Sequence, residues 1–164
     1  MKNTTLCYIE KDNKYLMLHR VKKDHDQSHG KWLGIGGKFE DKESPDECLL
    51  REVYEETGLK LTSYRLRGIV TFISDIYETE YMFLYTADGY EGSLCDESDG
   101  SLTPIINGNK IPCNEGVLKW VDTDRVPDLE LWEGDRVFLK KLRDEDDFFT
   151  LKLVYKGDSL TFAS

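Results

Sequence analysis

Residues 34–59, GIGGKFEDKESPDECLLREVYEETGL, decide how this chain is read. Ser44-Pro45-Asp46-Glu47 is a helix start, with Ser as N-cap, Pro at the first helical position and Glu at the third to complete a capping box. Gly58, a residue at ease in the left-handed conformation that ends helices, is the expected stop. On a helical wheel Leu49, Leu50, Val53, Tyr54 and Thr57 fall on one arc, and Arg51, Glu52, Glu55 and Glu56 on the other. The first arc is expected to pack and the second to be acidic. An acidic face is ordinarily just solvated, but Glu52 and Glu56 form an i, i+4 like-charge pair with Glu55 alongside, which destabilises an isolated helix by about a few tenths of a kcal/mol per pair. A divalent cation reverses that sign, because magnesium takes hard oxygen ligands that converge on one point. Just upstream, Gly34-Ile35-Gly36-Gly37-Lys38 lets backbone approach a ligand closely, and Lys38 adds a cation suited to phosphate.

Working outward, residues 4–10 and 14–20 are β-rich runs separated by the turn composition Lys11-Asp12-Asn13 and read as a hairpin. Further strands are expected at 61–74, 79–87 and 116–122, a second helix over 133–143, and a closing hairpin over 148–163 that turns at Lys156-Gly157-Asp158. Residues 88–114, rich in Gly, Asn, Ser and Asp, read as a long loop. Strands around two helices without regular β-α alternation argue for an α+β fold.

The length, 164 residues, suits a single domain spanning 1–164. With 22 Lys plus Arg against 32 Asp plus Glu, the net charge of −10 repels nucleic acid polymers and anionic membranes, so a polyanionic substrate calls for a metal cation as intermediary. No apolar run approaches the roughly 20 residues of a membrane span, and MKNTTLCYIEKD lacks the apolar core of a signal peptide, so the expected location is cytoplasmic. Cys7, Cys48, Cys95 and Cys113 show no CxxC spacing; Cys7 and Cys48 are expected as core thiols. His25 and His29 are expected on a solvated loop.

Counted from Gly37, five residues precede Glu43, seven more precede Arg51-Glu52, and Glu55-Glu56 and Gly58 follow. That spacing resembles the Nudix box, and the chain therefore resembles the Nudix hydrolases, which cleave a nucleoside diphosphate linked to another moiety. The resemblance implies an α/β/α sandwich with a mixed β-sheet between helices. It also implies magnesium, or manganese in its place, on Glu52, Glu55 and Glu56 with the backbone carbonyl of Gly36 or Gly37, while Arg51 and Glu43 brace the site. Glu52 is the first choice of catalytic base and Glu56 the second. Asn114 to Trp120 resembles a segment that lends a further carboxylate in the family's triphosphatases, which makes Glu115 a metal ligand, an alternative base or a plain loop acid. Arg20 resembles a phosphate-contacting arginine, with an ordinary surface arginine as the other reading.

The stretch from Trp120 to Asp135 and the final hairpin are similar to the MutT-type enzymes that sanitise oxidised purine nucleotides. This likeness implies that Trp132 stacks on the base, that Asp135 hydrogen-bonds it, and that Phe72 either lines the same pocket or packs in the core. Glu133, Gly134 and Asp135 suggest an open edge beside Trp132. Leu33 stands where the animal enzymes of that group carry a base-reading Asn, Gly134 replaces one of two adjacent Asp residues, and the 93–113 segment is longer. The implied activity is magnesium-dependent cleavage of a nucleoside triphosphate, 8-oxo-dGTP or a related purine nucleotide, to monophosphate and pyrophosphate by a monomer or homodimer. The alternatives are hydrolysis of ADP-ribose or a dinucleotide, and a nucleotide sensor that binds without cleaving. An isopentenyl diphosphate isomerase would want Cys and His positions that have no counterpart here.

Overall fold

The computed structural model describes all residues, 1–164. β1 (Lys2–Lys11) and β2 (Lys14–His19) form the opening hairpin, with Asp12 and Asn13 both at positive φ, 52° and 61°, as a two-residue hairpin turn demands. β3 (Trp32–Leu33) and β4 (Ile35–Lys38) follow, then α1 (Pro45–Thr57), β5 (Lys60–Ser74) and β6 (Glu80–Glu91). β7 (Leu94–Asp96), β8 (Leu102–Ile106), β9 (Asn109–Lys110) and β10 (Val117–Asp122) come next. α2 (Glu133–Asp144) and the hairpin β11 (Phe149–Lys156) and β12 (Ser159–Ala163) complete the chain.

The sheet is mixed: β1 runs parallel to β6 and β11 parallel to β5, while the other pairings are antiparallel. Thr4 to Ile9 of β1 are buried on both faces. A strand covered on both sides has no polar face, and β1 is covered because the two helices pack on opposite faces of the sheet. Leu6 and Tyr8 join the α2 side with Phe138, Leu139 and Leu142, while Cys7 and Ile9 join the α1 side with Leu49 and Val53. This is the α+β sandwich expected.

Both helices form where their signals lie. Ser44 Oγ accepts the Glu47 N–H at 3.1 Å, Glu47 Oε1 accepts the Ser44 N–H at 3.0 Å, and Gly58 ends α1 with φ 75°. The packed face of α1 is rotated from the expected arc: it holds Cys48, Leu49, Val53, Glu56 and Thr57, whereas Leu50 is exposed and Tyr54 only half-buried. The correction matters for the chemistry, because it places Glu56 on the buried side. At the other helix, Arg67 from β5 donates to the carbonyls of Leu142 and Glu145 at 3.2 and 2.6 Å, satisfying acceptors that the end of α2 leaves open.

The expected long loop over 88–114 is also corrected. β6 continues to Glu91, and β7, β8 and β9 follow as short strands joined by tight turns, with Asn107 and Gly108 at φ 52° and 77° in the last of them. Leu102 and Pro104 are buried and Leu102 pairs with Leu118 of β10, so this segment extends the sheet. The Gly, Asn and Asp content marks turns between strands too short to show a hydrophobic period.

Candidate active site

β4 lies antiparallel to β1, with Gly36 opposite Leu6 and Gly37 opposite Thr5, and α1 packs against it. A Cβ on Gly37 would stand 2.5 Å from the carboxyl carbon of Glu52, so only glycine lets that carboxylate lie against the strand. Arg51 organises the acids around it. Its Nε and Nη2 donate to Glu43 at 2.6 and 2.9 Å, Nη1 donates to Glu52 at 2.8 Å and to Glu55 at 3.2 Å, and Nη2 also reaches the Lys38 carbonyl at 3.0 Å. These hydrogen bonds pull the Glu43 carboxyl down to about 2.

Glu52 and Glu56 face the opposite pressure. Burial is the largest cause raising the Glu52 carboxyl, and Arg51 counters it. Burial pushes Glu56 well above the usual carboxylate range, with the charges of Glu52 and Glu115 next, against the pull of Arg20 and the Gly36 backbone. Glu56 is only 7% exposed and its Oε2 is buried without a hydrogen-bond partner. A hard cation fits here: it would give that oxygen a partner and quiet the repulsion among three acids. The side chains alone do not make a cage, since no three His, Cys, Asp or Glu converge closely enough to hold a metal ion. Glu55 is turned outward, its side chain 56% exposed, and Glu115 is held by Arg20 Nη2 at 3.3 Å and Lys23 Nζ at 3.0 Å.

A cleft of about 550 Å³ opens from this end across the sheet. Arg20, Gly36, Gly37 and Lys38 line it near α1, and Leu33, Phe72, Trp132, Asp135 and Tyr155 line it near α2. Arg20 is already engaged by Asp26 at 2.6 Å as well as by Glu115. Phe72 serves both readings of it, lining the cleft and packing against the core with its ring 6.4 Å from that of Tyr155. Trp132 is fixed by its Nε1–H donating to Ser28 Oγ at 3.0 Å, by an edge contact with Tyr155, and by the Lys31 ammonium 4.9 Å from its ring.

The expected open edge beside Trp132 does not form: Gly134 and Asp135 are buried and only Glu133 is exposed. The reason is Tyr155, whose hydroxyl accepts the Gly134 N–H at 2.7 Å, in space that a Cβ on Gly134 would enter at 2.6 Å from both that oxygen and Leu153. Asp135 is 3% exposed, its Oδ2 lacks a partner, and its carboxyl is pushed up to about 8, first by burial and then by the charge of Glu80.

Among the lining residues with no place in the sequence-based expectations, Glu80, Tyr155 and Ser28 matter most to the shape of the cleft. Glu80 had a signal, since it shares its period with the apolar Met82 and Leu84 of one strand. Tyr155 and Ser28 had none, because their partners lie 21 and 104 residues away.

The profile of the NUDIX domain family matches residues 2–142. The uncharacterized Nudix hydrolase YvcI of Bacillus subtilis (strain 168) is 31% identical over 139 residues, 82% of this chain and 75% of that protein. The oxidized purine nucleoside triphosphate hydrolase of Danio rerio is 31% identical over 108 residues, 65% of this chain and 58% of that protein. Among solved structures, the MutT protein from Bacillus halodurans superposes with a TM-score of 0.81 at 25% identity, covering 100% of this chain and 97% of that one.

Proposed function

The chain belongs to the Nudix hydrolase family, and from that membership we propose that it cleaves purine nucleoside triphosphates, oxidised guanine nucleotides such as 8-oxo-dGTP among them, to the monophosphate and pyrophosphate. The observation that carries this reading is one cleft with two unlike ends, glycines and cations beside buried carboxylates at one, an indole and an uncharged-capable Asp at the other. The zebrafish relative named for oxidised purine triphosphates supports the choice of substrate.

Glu52, Glu56 and the carbonyl of Gly36 or Gly37 are the proposed holders of magnesium, with manganese as a substitute; Glu115 and Glu55 would join by leaving the cations that now hold them. When bound, such a cation polarises a phosphoryl group and lowers the pKa of a coordinated water. Arg51 grips Glu43 with two donors of its planar fork and holds Glu52 with a third, Nη1. Glu52 is the proposed base, with Glu56 second. Arg20 and Lys38, which line the cleft near α1, are the proposed contacts to the polyphosphate, and Trp132, Phe72 and Asp135, which line it near α2, the proposed contacts to the base, through stacking and a hydrogen bond from the protonated carboxyl. Leu33 brings no polar atom to that end, so discrimination for the oxidised base should be weaker by about one hydrogen bond, roughly 1 to 3 kcal/mol.

The test is catalytic efficiency with magnesium across 8-oxo-dGTP, dGTP, dATP, ADP-ribose and a diadenosine polyphosphate. Highest efficiency on 8-oxo-dGTP, with side activity on the other purine triphosphates, is expected. Preference for ADP-ribose or the dinucleotide would overturn the assignment.

A further inference from the structure

Glu80 is an acid in an apolar row. In the sheet register it stands opposite Phe72 of β5 and Lys2 of β1, and Met82, two residues on, stands opposite Val70 and Thr4. By the alternation of side chains along a strand, Glu80 shares the cleft-facing side with Met82, Phe72 and Leu6. Thr4 Oγ1 donates to Glu80 Oε2 at 2.6 Å, and Lys2 Nζ lies 3.6 Å from Oε1. An ionised carboxylate has about four acceptor sites, so these partners leave capacity free. On the other side of the cleft stands Asp135 of α2, almost wholly buried, with Oδ2 unpartnered. Two carboxyl groups from separate elements therefore line the end of the cleft that Trp132 and Phe72 flank.

We propose that Glu80 is a specificity-determining residue of this cleft, its carboxylate accepting the two adjacent N–H donors of a guanine-type edge while Asp135 opposite donates to the neighbouring carbonyl oxygen. The inference rests on the reading of the cleft as a nucleotide site. A guanine edge offers two N–H donors side by side next to a carbonyl, which suits one ionised and one protonated carboxyl; an adenine edge offers an amino group next to a bare ring nitrogen. Glu80 also adds to what favours the donor state of Asp135. After burial, its charge is what raises the Asp135 carboxyl, against Lys31 ahead of β3 and Arg136 on α2, while the phenols of Tyr8 from β1 and Tyr155 from β11 are the other titratable groups facing it. Thus one residue supplies an acceptor and, through Asp135, a donor.

Equilibrium binding of guanosine and adenosine monophosphates to the full chain tests this, with Glu80→Gln and Glu80→Met compared to the parent between about pH 6 and 9. The parent should favour the guanosine compound, and its affinity should fall as pH rises through about 8, where Asp135 loses its proton. Both variants should lose about tenfold in guanosine affinity, with adenosine affinity changing by less than about threefold. In Glu80→Gln the fall with pH should begin lower, since the charge that holds the Asp135 proton is gone. Variants that keep the parent's guanosine preference and pH profile would overturn the role of Glu80 and leave the nucleotide reading standing. A parent that binds neither nucleotide would overturn both.

Discussion

At one end of the cleft cations hold four acids: Arg51 satisfies Glu43, Glu52 and Glu55, and Arg20 and Lys23 satisfy Glu115. At the other end Asp135 sits in an apolar wall of Trp132, Tyr155, Phe72 and Met82, its oxygen unpartnered and its nearest charges split between Glu80 and the cations Lys31 and Arg136. The exposed side of the first end is organised by ion pairs and the second end by burial. The ion-paired Glu43 and the buried Asp135 consequently respond to protons with opposite sign, while Glu52 and Glu56, raised by burial, shift the same way as Asp135. Glu43 is held down to about 2, below its usual 4.5, so its contribution to stability is present above pH 4.5 and lost as pH falls toward 2. Asp135 is held up to about 8 from its usual 3.8, so the folded protein keeps a proton that the unfolded chain releases, and that contribution is complete below pH 3.8 and lost as pH rises toward 8.

The sharpest way to break this contrast is to remove charge from the motif end. Glu56→Gln should lower magnesium-dependent turnover by about 100-fold or more, while the metal-free melting temperature stays level or rises, because a buried and repelled carboxylate has been neutralised. A metal-free variant that melts well below the parent would show that Glu56 holds the fold instead. Arg51→Lys keeps the charge and loses the two-donor fork, so turnover should fall by about tenfold. A Lys variant equal to the parent would remove the bracing role.

At the other end the expected effects are smaller and act on packing. Gly134→Ala puts a methyl group against Tyr155 and Leu153 and should cost about 1 to 3 kcal/mol in denaturant unfolding; a neutral substitution would mean that the wall yields. Asp135→Asn replaces the protonated carboxyl by a neutral amide of the same shape. Melting followed from about pH 5 to 8 should decline less in this variant than in the parent. Parallel melting profiles would show that Asp135 titrates normally.

The same division governs how much could be read in advance. Everything that builds the motif end lies between Gly34 and Gly58, where the capping box, the glycines and the spacing of Arg51, Glu52 and Glu56 are all local. Even there a helical wheel drawn from hydrophobicity put Glu56 on the wrong face, because burial of a carboxylate is a tertiary effect that the surrounding β1 and β4 impose. The end beside α2 is assembled from β1, β5, β6, α2 and β11, and the hydrogen bonds that shape it join Ser28 to Trp132 and Gly134 to Tyr155. Glu80 looks like any strand acid until the register sets it beside Phe72. Likewise the turn-rich segment 88–114 hid β7 to β9, since strands of two to five residues show too little period to be recognised.

The proposed function divides labour within one cleft, chemistry at the carboxylates of α1 and recognition at the wall beside α2. Steady-state kinetics of Glu56→Gln and Asp135→Asn on the same purine nucleoside triphosphate tests it most directly. Glu56→Gln should act chiefly on kcat, and Asp135→Asn should raise KM by a larger factor than it lowers kcat. An Asp135→Asn enzyme that loses kcat as fully as Glu56→Gln does, with KM unmoved, would contradict it.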